Sequence, residues 1–274
     1  MRSSPYAYNH LTQAYGDERI QTGQVELQGL RSRLPPDVSA TDLERFLDGL
    51  PCRYLQLFAP ETIYQHVRLA RDLSADDVHV SIERAESGIW TLAVVTRDRP
   101  ALFSSICGVL ASFGMDIIRG YAFTSLNGLV LDVFQFMDDE QFLALNPDGR
   151  QRMTTVLEDV VSGRTDAAAR LKGRENGILR AKAGVRVATV VRADNTASSR
   201  YTILDIVATN GVGLLYRISR VIASHQCDVA LVLIATEGEK AIDVFHLTRG
   251  GAKLTEAEQL ALTADLQRTL EESR

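Results

Sequence analysis

Five histidines, three cysteines and two aspartates set in apolar runs are the side chains whose types invite a search for chemistry. His10, His66, His79, His225 and His246 are scattered and lack the close spacing that metal ligands need, so they read as surface or packing residues. Cys52, Cys107 and Cys227 are far apart, with no CxxC and no cysteine–histidine spacing, which points to small apolar side chains in a reducing compartment. Asp132 and Asp243, each followed by Val-Phe, could be taken for an acid pair for general acid–base work. They fall at equivalent places in two copies of one repeat, however, and so read as sharing a structural role. Arg119, Arg217 and Arg220 read as helix or interface charges rather than substrate clamps. The expectation is a chain with no catalytic residues, no metal, no cofactor and no enzymatic activity of its own.

The repeat positions everything else. Trp90–Thr124 and Thr202–Thr236 superpose with a constant shift of 112, placing Leu102 on Leu214, Ile106 on Ile218, Asp116 on Asp228 and Thr124 on Thr236. After a turn one residue shorter in the second copy, Asp132-Val133-Phe134 meets Asp243-Val244-Phe245.

Each copy has the same internal order. A β-rich run leads into a short turn, Asp98-Arg99-Pro100 or Asn210-Gly211-Val212-Gly213. An apolar pattern at helical spacing follows, then two strands joined by a tight turn, then a closing helix at Arg150–Val161 or Glu256–Glu272, the latter capped by Thr255. That order, β-α-β-β-α, is one strand short of a ferredoxin-like unit. Val185–Val191 can supply the last strand of the first copy, and Val78–Arg84 is a further strand candidate ahead of it. Open sheet edges are a liability, so the copies are expected to share or abut their sheets, or a homodimer to close them.

The expected class is therefore α+β: two ferredoxin-like (βαββαβ) modules with a small N-terminal helical segment. The expected domains are a polar arm at 1–38, a helical connector with one strand at 39–86, a first module at 87–193 and a second at 194–274. In the connector, Thr41–Leu73 is helical in pattern, with Pro51 closing one helix and Pro60-Glu61 opening the next. Ser162–Ala183 reads as helix plus charged linker. A composition 45% hydrophobic supplies a core, and a formal net charge of −5 argues against nucleic acid, which needs a concentrated positive field. No apolar run reaches the ~18 residues of a membrane span, and no signal-like segment opens the chain, so a cytoplasmic protein without a membrane partner is expected.

Asp98-Arg99-Pro100-Ala101-Leu102-Phe103, with Gly114-Met115-Asp116-Ile117 beyond the helix, resembles an ACT domain. Asn210-Gly211-Val212-Gly213-Leu214-Leu215 with Asp243-Val244-Phe245 resembles another. Over roughly residues 40–274 the closer resemblance is to the C-terminal tandem ACT region of the uridylyl-transferring and uridylyl-removing enzymes of nitrogen signalling. It includes the connector motifs Phe46–Tyr54 and Pro60–His66 and the stretch from Asp194-Asn195 through Ser199. The Gly-Ser and carboxylate cluster and the His-Asp pair of those enzymes' catalytic domains do not occur here.

The resemblance implies an allosteric sensor of a small amino acid, glutamine first, that reports to a protein partner in nitrogen metabolism. The alternatives are a regulatory subunit of a separate nucleotidyltransferase and a purely structural oligomerisation scaffold. It also implies a ligand site at the turn from first strand to first helix: Asp98, Arg99, Pro100, Ala101 and Leu102, and Asn210, Gly211, Val212, Gly213 and Leu214. A helix N-terminus there offers unpaired N–H groups to a carboxylate, and glycine admits a ligand close to the backbone. Ala101 stands where the second copy has Gly213, which ranks the second turn above the first.

Overall fold

The structure is a computed structural model and describes residues 27–51, 54–172 and 187–272. Most of the N-terminal arm, His10, Cys52 and residues 173–186 of the charged linker lie outside the described residues.

Beyond a helical stretch at 27–31, the described N-terminal part holds the helices α1 (Ala40–Leu47), α2 (Tyr54–Leu57) and α3 (Pro60–Leu69). There follow β1 (Val78–Arg84), β2 (Trp90–Arg97), α4 (Leu102–Ser112), β3 (Asp116–Thr124) and β4 (Leu129–Met137). Helices α5 (Phe142–Leu145), α6 (Gly149–Val161) and α7 (Ala167–Lys172) complete the first half. The second half holds β5 (Val190–Asp194), β6 (Thr202–Thr209), α8 (Leu214–Ser224), β7 (Asp228–Glu237), β8 (Lys240–Thr248) and α9 (Glu256–Glu272). Thr255 caps α9 in a reciprocal box with Glu258: its N–H donates to Glu258 Oε2 at 2.7 Å, and the Glu258 N–H returns to Thr255 Oγ1 at 3.4 Å.

The eight strands form one antiparallel sheet in the order β1-β2-β4-β3-β7-β8-β6-β5, two ferredoxin-like modules side by side. One strand expectation is corrected. The run Val185–Val191 does not complete the first copy: β5 starts at Val190 and pairs with β6, from Val190↔Val207 to Asp194↔Ile203. The corresponding edge of the first copy is β1, paired with β2 from Val78↔Thr96 to Arg84↔Trp90. Each βαββα unit thus receives its outer strand from ahead of it, which permutes the βαββαβ order while keeping the spatial layout. The reason is local: antiparallel neighbours need only a short turn between them. Residues 85–89 supply that turn, with the Ala85 N–H on the Ile89 carbonyl at 2.8 Å.

The modules meet where β3 pairs with β7, from Arg119↔Ala235 to Phe123↔Leu231. At the centre Tyr121 lies opposite Leu233, its own counterpart in the repeat, with Gly120↔Ile234 and Ala122↔Val232 on either side. A pseudo-twofold axis therefore passes through the Tyr121–Leu233 pair, and the seam has the self-complementary form of a symmetric dimer interface within one chain. Above it α4 approaches α8 so closely that a Cβ on Gly108 would come within 2.9 Å of Tyr216 Cε2.

Side chains alternate across the sheet, and both faces are covered. On one face Leu92, Val94, Val130 and Phe134 pack with Ile106 and Leu110 of α4, Leu157 of α6, Ile218 of α8 and Leu266 of α9. On the other, Val95, Leu131, Phe123, Leu233 and Val244 pack with Leu43, Phe46, Tyr54, Ile63 and Val67 of the N-terminal helices. Leu30 and Val38, part of the expected polar arm, are buried in this second cluster. Tyr54 is fully buried, and its hydroxyl meets His66 Nδ1 at 2.8 Å, which gives the buried histidine its partner.

The seam sets the first expected outcome. A Cβ on Gly120 would lie 2.5 Å from Ile234 Cδ1. Gly120→Ala should cost about 1–3 kcal/mol through overpacking. In chemical denaturation the Gly120→Ala/Ile234→Ala pair should cost less than the sum of the single variants, because each relieves the other.

Candidate functional site: two equivalent clefts at the seam

The two turns have the same backbone. Helix α4 is entered through Ala101 at φ 56° and α8 through Gly213 at φ 83°, both left-handed. Ala101 accepts this conformation at a cost of roughly 1–2 kcal/mol for a residue with a Cβ. Leu102 N–H closes on the Arg99 carbonyl at 3.2 Å and Leu214 N–H on the Gly211 carbonyl at 3.0 Å. Asp98 N–H reaches the Gly128 carbonyl at 2.9 Å, as Asn210 N–H reaches that of Glu239 at 2.8 Å.

Each turn faces the other module across the seam. Asn210 Nδ2 donates to Asp116 Oδ1 at 3.3 Å, so an amide meets a carboxylate and the two are matched. The counterpart positions in the first turn are Asp98 and Asp228, two carboxylates lining one cleft. Partial desolvation and the negative charge of Asp228 push the Asp98 carboxyl above the ordinary aspartate range. The exposed Pro100 lines the mouth of the same cleft.

The cleft at the first turn has a volume of about 690 Å³, and that at the second about 20 Å³, room for roughly one water. Every residue that lines the second cleft has a counterpart in the first, which also extends over Arg200, Tyr201, Thr248 and Gly251; smaller side chains and this wider extent account for the contrast. Ser104 and Ala122 of the first cleft stand where the second has Tyr216 and Ile234. Cys227 and Val229, which the second module lends to the first cleft, stand where the second cleft has Met115 and Ile117. The volumes therefore run opposite to the ranking that Gly213 suggested. Asn210, Gly211, Gly213 and Leu214 line the small cleft, and Val212 is half-buried in the same turn.

Arg99 is engaged in structure. Its guanidinium donates to the carbonyls of Val161 at 3.3 Å and Ala75 at 3.2 Å, anchoring the first turn to α6 and to the segment before β1. Arg119 is exposed on the seam strand, Arg220 lies 5.6 Å over the Tyr216 ring, and Arg217 Nε is buried without a partner.

The acids at the floor are what sequence reasoning passed over. Asp132 is 1% exposed, lines the first cleft and has no hydrogen-bond partner on either carboxylate oxygen. Asp243, 2% exposed, lines the second, with Oδ1 unpartnered. Burial, with the nearby charge of Asp98, drives the Asp132 carboxyl far above the ordinary range, and burial alone raises Asp243 to about 7. A signal was available: in Leu129-Val130-Leu131-Asp132-Val133-Phe134 an acid takes a core-facing position of an alternating strand. The histidines do not gather: His66 pairs with Tyr54, His79 Nδ1 lies 2.6 Å from the Leu69 carbonyl, His225 meets Asp265 at 2.9 Å, and His246 packs on Tyr201. Cys107, on α4, is buried and Cys227 is half-buried.

Asp243 has a measurable consequence. Its folded pKa exceeds that of the unfolded chain, so the native state holds the proton longer. Its contribution to stability is complete below about pH 4 and falls away toward pH 7, by about 4 kcal/mol at most. Asp243→Asn should flatten that part of the wild-type stability profile when denaturation is followed from pH 4 to 7.5.

No protein-family model matches the chain. It is 32% identical over 250 residues to the bifunctional uridylyltransferase/uridylyl-removing enzyme of Azospirillum brasilense and 30% identical over 252 residues to that of Gluconobacter oxydans. Each alignment covers 89% of this chain and 26% of the relative, so the chain spans about a quarter of the length of the curated relatives it matches. Among solved structures, an aspartate kinase from Synechocystis aligns over 67% of this chain and 27% of its own, at 15% identity and a TM-score of 0.34, too distant to bear on the site. Over about nine-tenths of its length the chain is thus similar to bifunctional uridylyltransferase/uridylyl-removing enzymes, and it resembles their ACT-bearing C-terminal region.

Proposed function

We propose that this chain is a sensing region without chemistry of its own, which binds a small amino acid between its two modules and reports it to a partner protein. The observation that carries this reading is the first cleft, whose volume of about 690 Å³ falls in the range of small-molecule sites. An amino-acid zwitterion suits its parts. The first turn of α4 offers backbone N–H groups to a carboxylate. Asp98 and Asp228 offer negative charge to an ammonium group, and the space beneath receives a side chain. Asn210, Gly211, Val212, Gly213 and Leu214 form the equivalent but filled site. Glutamine is the ligand to which the resemblance points, and an enzyme of the kind the relatives' names describe is the partner to seek.

A route from cleft to partner exists in the hairpin between β3 and β4. Ser125 and Leu126 of that hairpin line the cleft, and Asp98 N–H is bonded to Gly128. Beyond it, Leu126 N–H donates to the Gly49 carbonyl at 3.2 Å and Asn127 Nδ2 to that of Asp48 at 3.3 Å. A ligand that moves the hairpin would thus move the end of α1 and bias the N-terminal helical layer between two arrangements. Among the described residues no helix is long and apolar enough to cross a membrane, which accords with a cytoplasmic setting. A homodimer would have the open edges β1 and β5 to pair.

Thermal denaturation against the twenty amino acids tests this reading. At a hundred times its Kd, the true ligand should raise Tm by about 5–10 °C, because only the folded form binds it. Asp98→Ala should diminish the shift, and Gly213→Val should leave it in place while lowering the basal Tm. No response to any amino acid would transfer the argument to the scaffold reading.

A further inference from the structure

Within that reading of the first cleft, we infer that Asp132 reads the inner end of the ligand, and that the cleft takes a ligand ending in an N–H-bearing nitrogen group: a carboxamide, an ammonium or a guanidinium. Asp132 lies at the floor between Val94 of β2 and Ala122 of β3, its partners in register, on the face covered by α4. Both of its oxygens are buried and unpartnered in a protein whose other buried polar groups are largely matched. Such groups are rare in native proteins and call for an explanation specific to the site.

Three donors near the cleft are engaged elsewhere. Arg99 is bound to the carbonyls of Val161 and Ala75, and Ser219 Oγ donates to the Tyr216 carbonyl at 3.0 Å. Arg200 lies 5.5 Å over the Tyr201 ring. Asp98 and Asp228 add two further acids to a lining whose cations are Arg99 and Arg200. An inner carboxylate, alkyl or thioether end brings no N–H group and would leave the Asp132 oxygens without donors. A nitrogen bearing two or more hydrogens supplies them.

In the second cleft the same position is packed over, although Asp243 Oδ1 is likewise unpartnered. Its equivalent acid, Asp243, lies beside Ile234, whose side chain occupies the room that Ala122 leaves open. Across the seam the pairs compensate: Gly120 faces Ile234, and Ala122 faces Val232.

The test is isothermal titration of the full chain with glutamine, asparagine, lysine and arginine, against glutamate and methionine as matched ligands without the terminal N–H. A donor-ended amino acid is expected to bind at least tenfold more tightly than glutamate or methionine. Asp132→Leu should weaken that ligand at least tenfold while the Tm of the unliganded protein holds or rises, since the substitution removes only an unmatched acid. Ala122→Ile/Val232→Gly, which copies the Gly120–Ile234 pair across the axis, should close the cleft with the same loss. Asp132→Asn separates the donors: it should preserve a carboxamide ligand and reject an ammonium or guanidinium. Equal binding of glutamate or methionine, affinity unchanged in Asp132→Leu, or a lowered Tm in unliganded Asp132→Leu would each overturn the inference alone. Failure of every amino acid to bind would overturn the sensor reading itself.

Discussion

The molecule depends on the β3–β7 seam. Pairing Tyr121 with Leu233 places each residue opposite its own counterpart, and every other feature of the interface follows from that register. It merges two four-stranded sheets into one, brings α4 against α8 at Gly108, and sets each strand-to-helix turn beside the other module's second strand. A shift of one residue would turn Ala122 and Ile234 to the other face and abolish both clefts, since side chains alternate along a strand. Gly120 holds the register because a side chain there would meet Ile234.

A symmetric seam in a single chain leaves its two halves free to differ. In the second cleft Tyr216, Ile234, Met115 and Ile117 fill the space, and Asn210 satisfies Asp116. In the first, smaller side chains leave a cavity, and Asp98 and Asp228 bring two like charges to its mouth. The backbone is the same on both sides, including the left-handed residue before each helix. Specialisation therefore lies in side-chain volume and in the charges at the turn: a buried acid with an unpartnered oxygen lies beneath both clefts, but the closed half is packed over it and the open half is not. Groups left unmatched in a folded protein are characteristic of binding sites, where the ligand completes them.

Much of this was legible in the residues. The repeat at a shift of 112 and the order β-α-β-β-α anticipate two ferredoxin-like modules. Thr255 and Pro60 mark helix starts that the structure has. What failed to show depends on long-range placement. Whether Val78–Arg84 or Val185–Val191 fills an edge is decided by turn length and sheet position, which no local pattern encodes. The ranking of the two turns rested on Gly213 against Ala101, yet both residues adopt the same conformation, and cavity size is set by Tyr216 and Ile234 on neighbouring elements. Asp132 and Asp243 read as structural because they repeat; only their burial without partners marks them as parts of the clefts.

The central claim is that one interface builds two equivalent sites and keeps one of them open. Calorimetric stoichiometry, measured with the amino acid that stabilises the protein, tests it most directly. One molecule bound per chain, lost when the first cleft is filled, is the predicted result. Two molecules per chain, or one that persists with the first cleft filled, would contradict it.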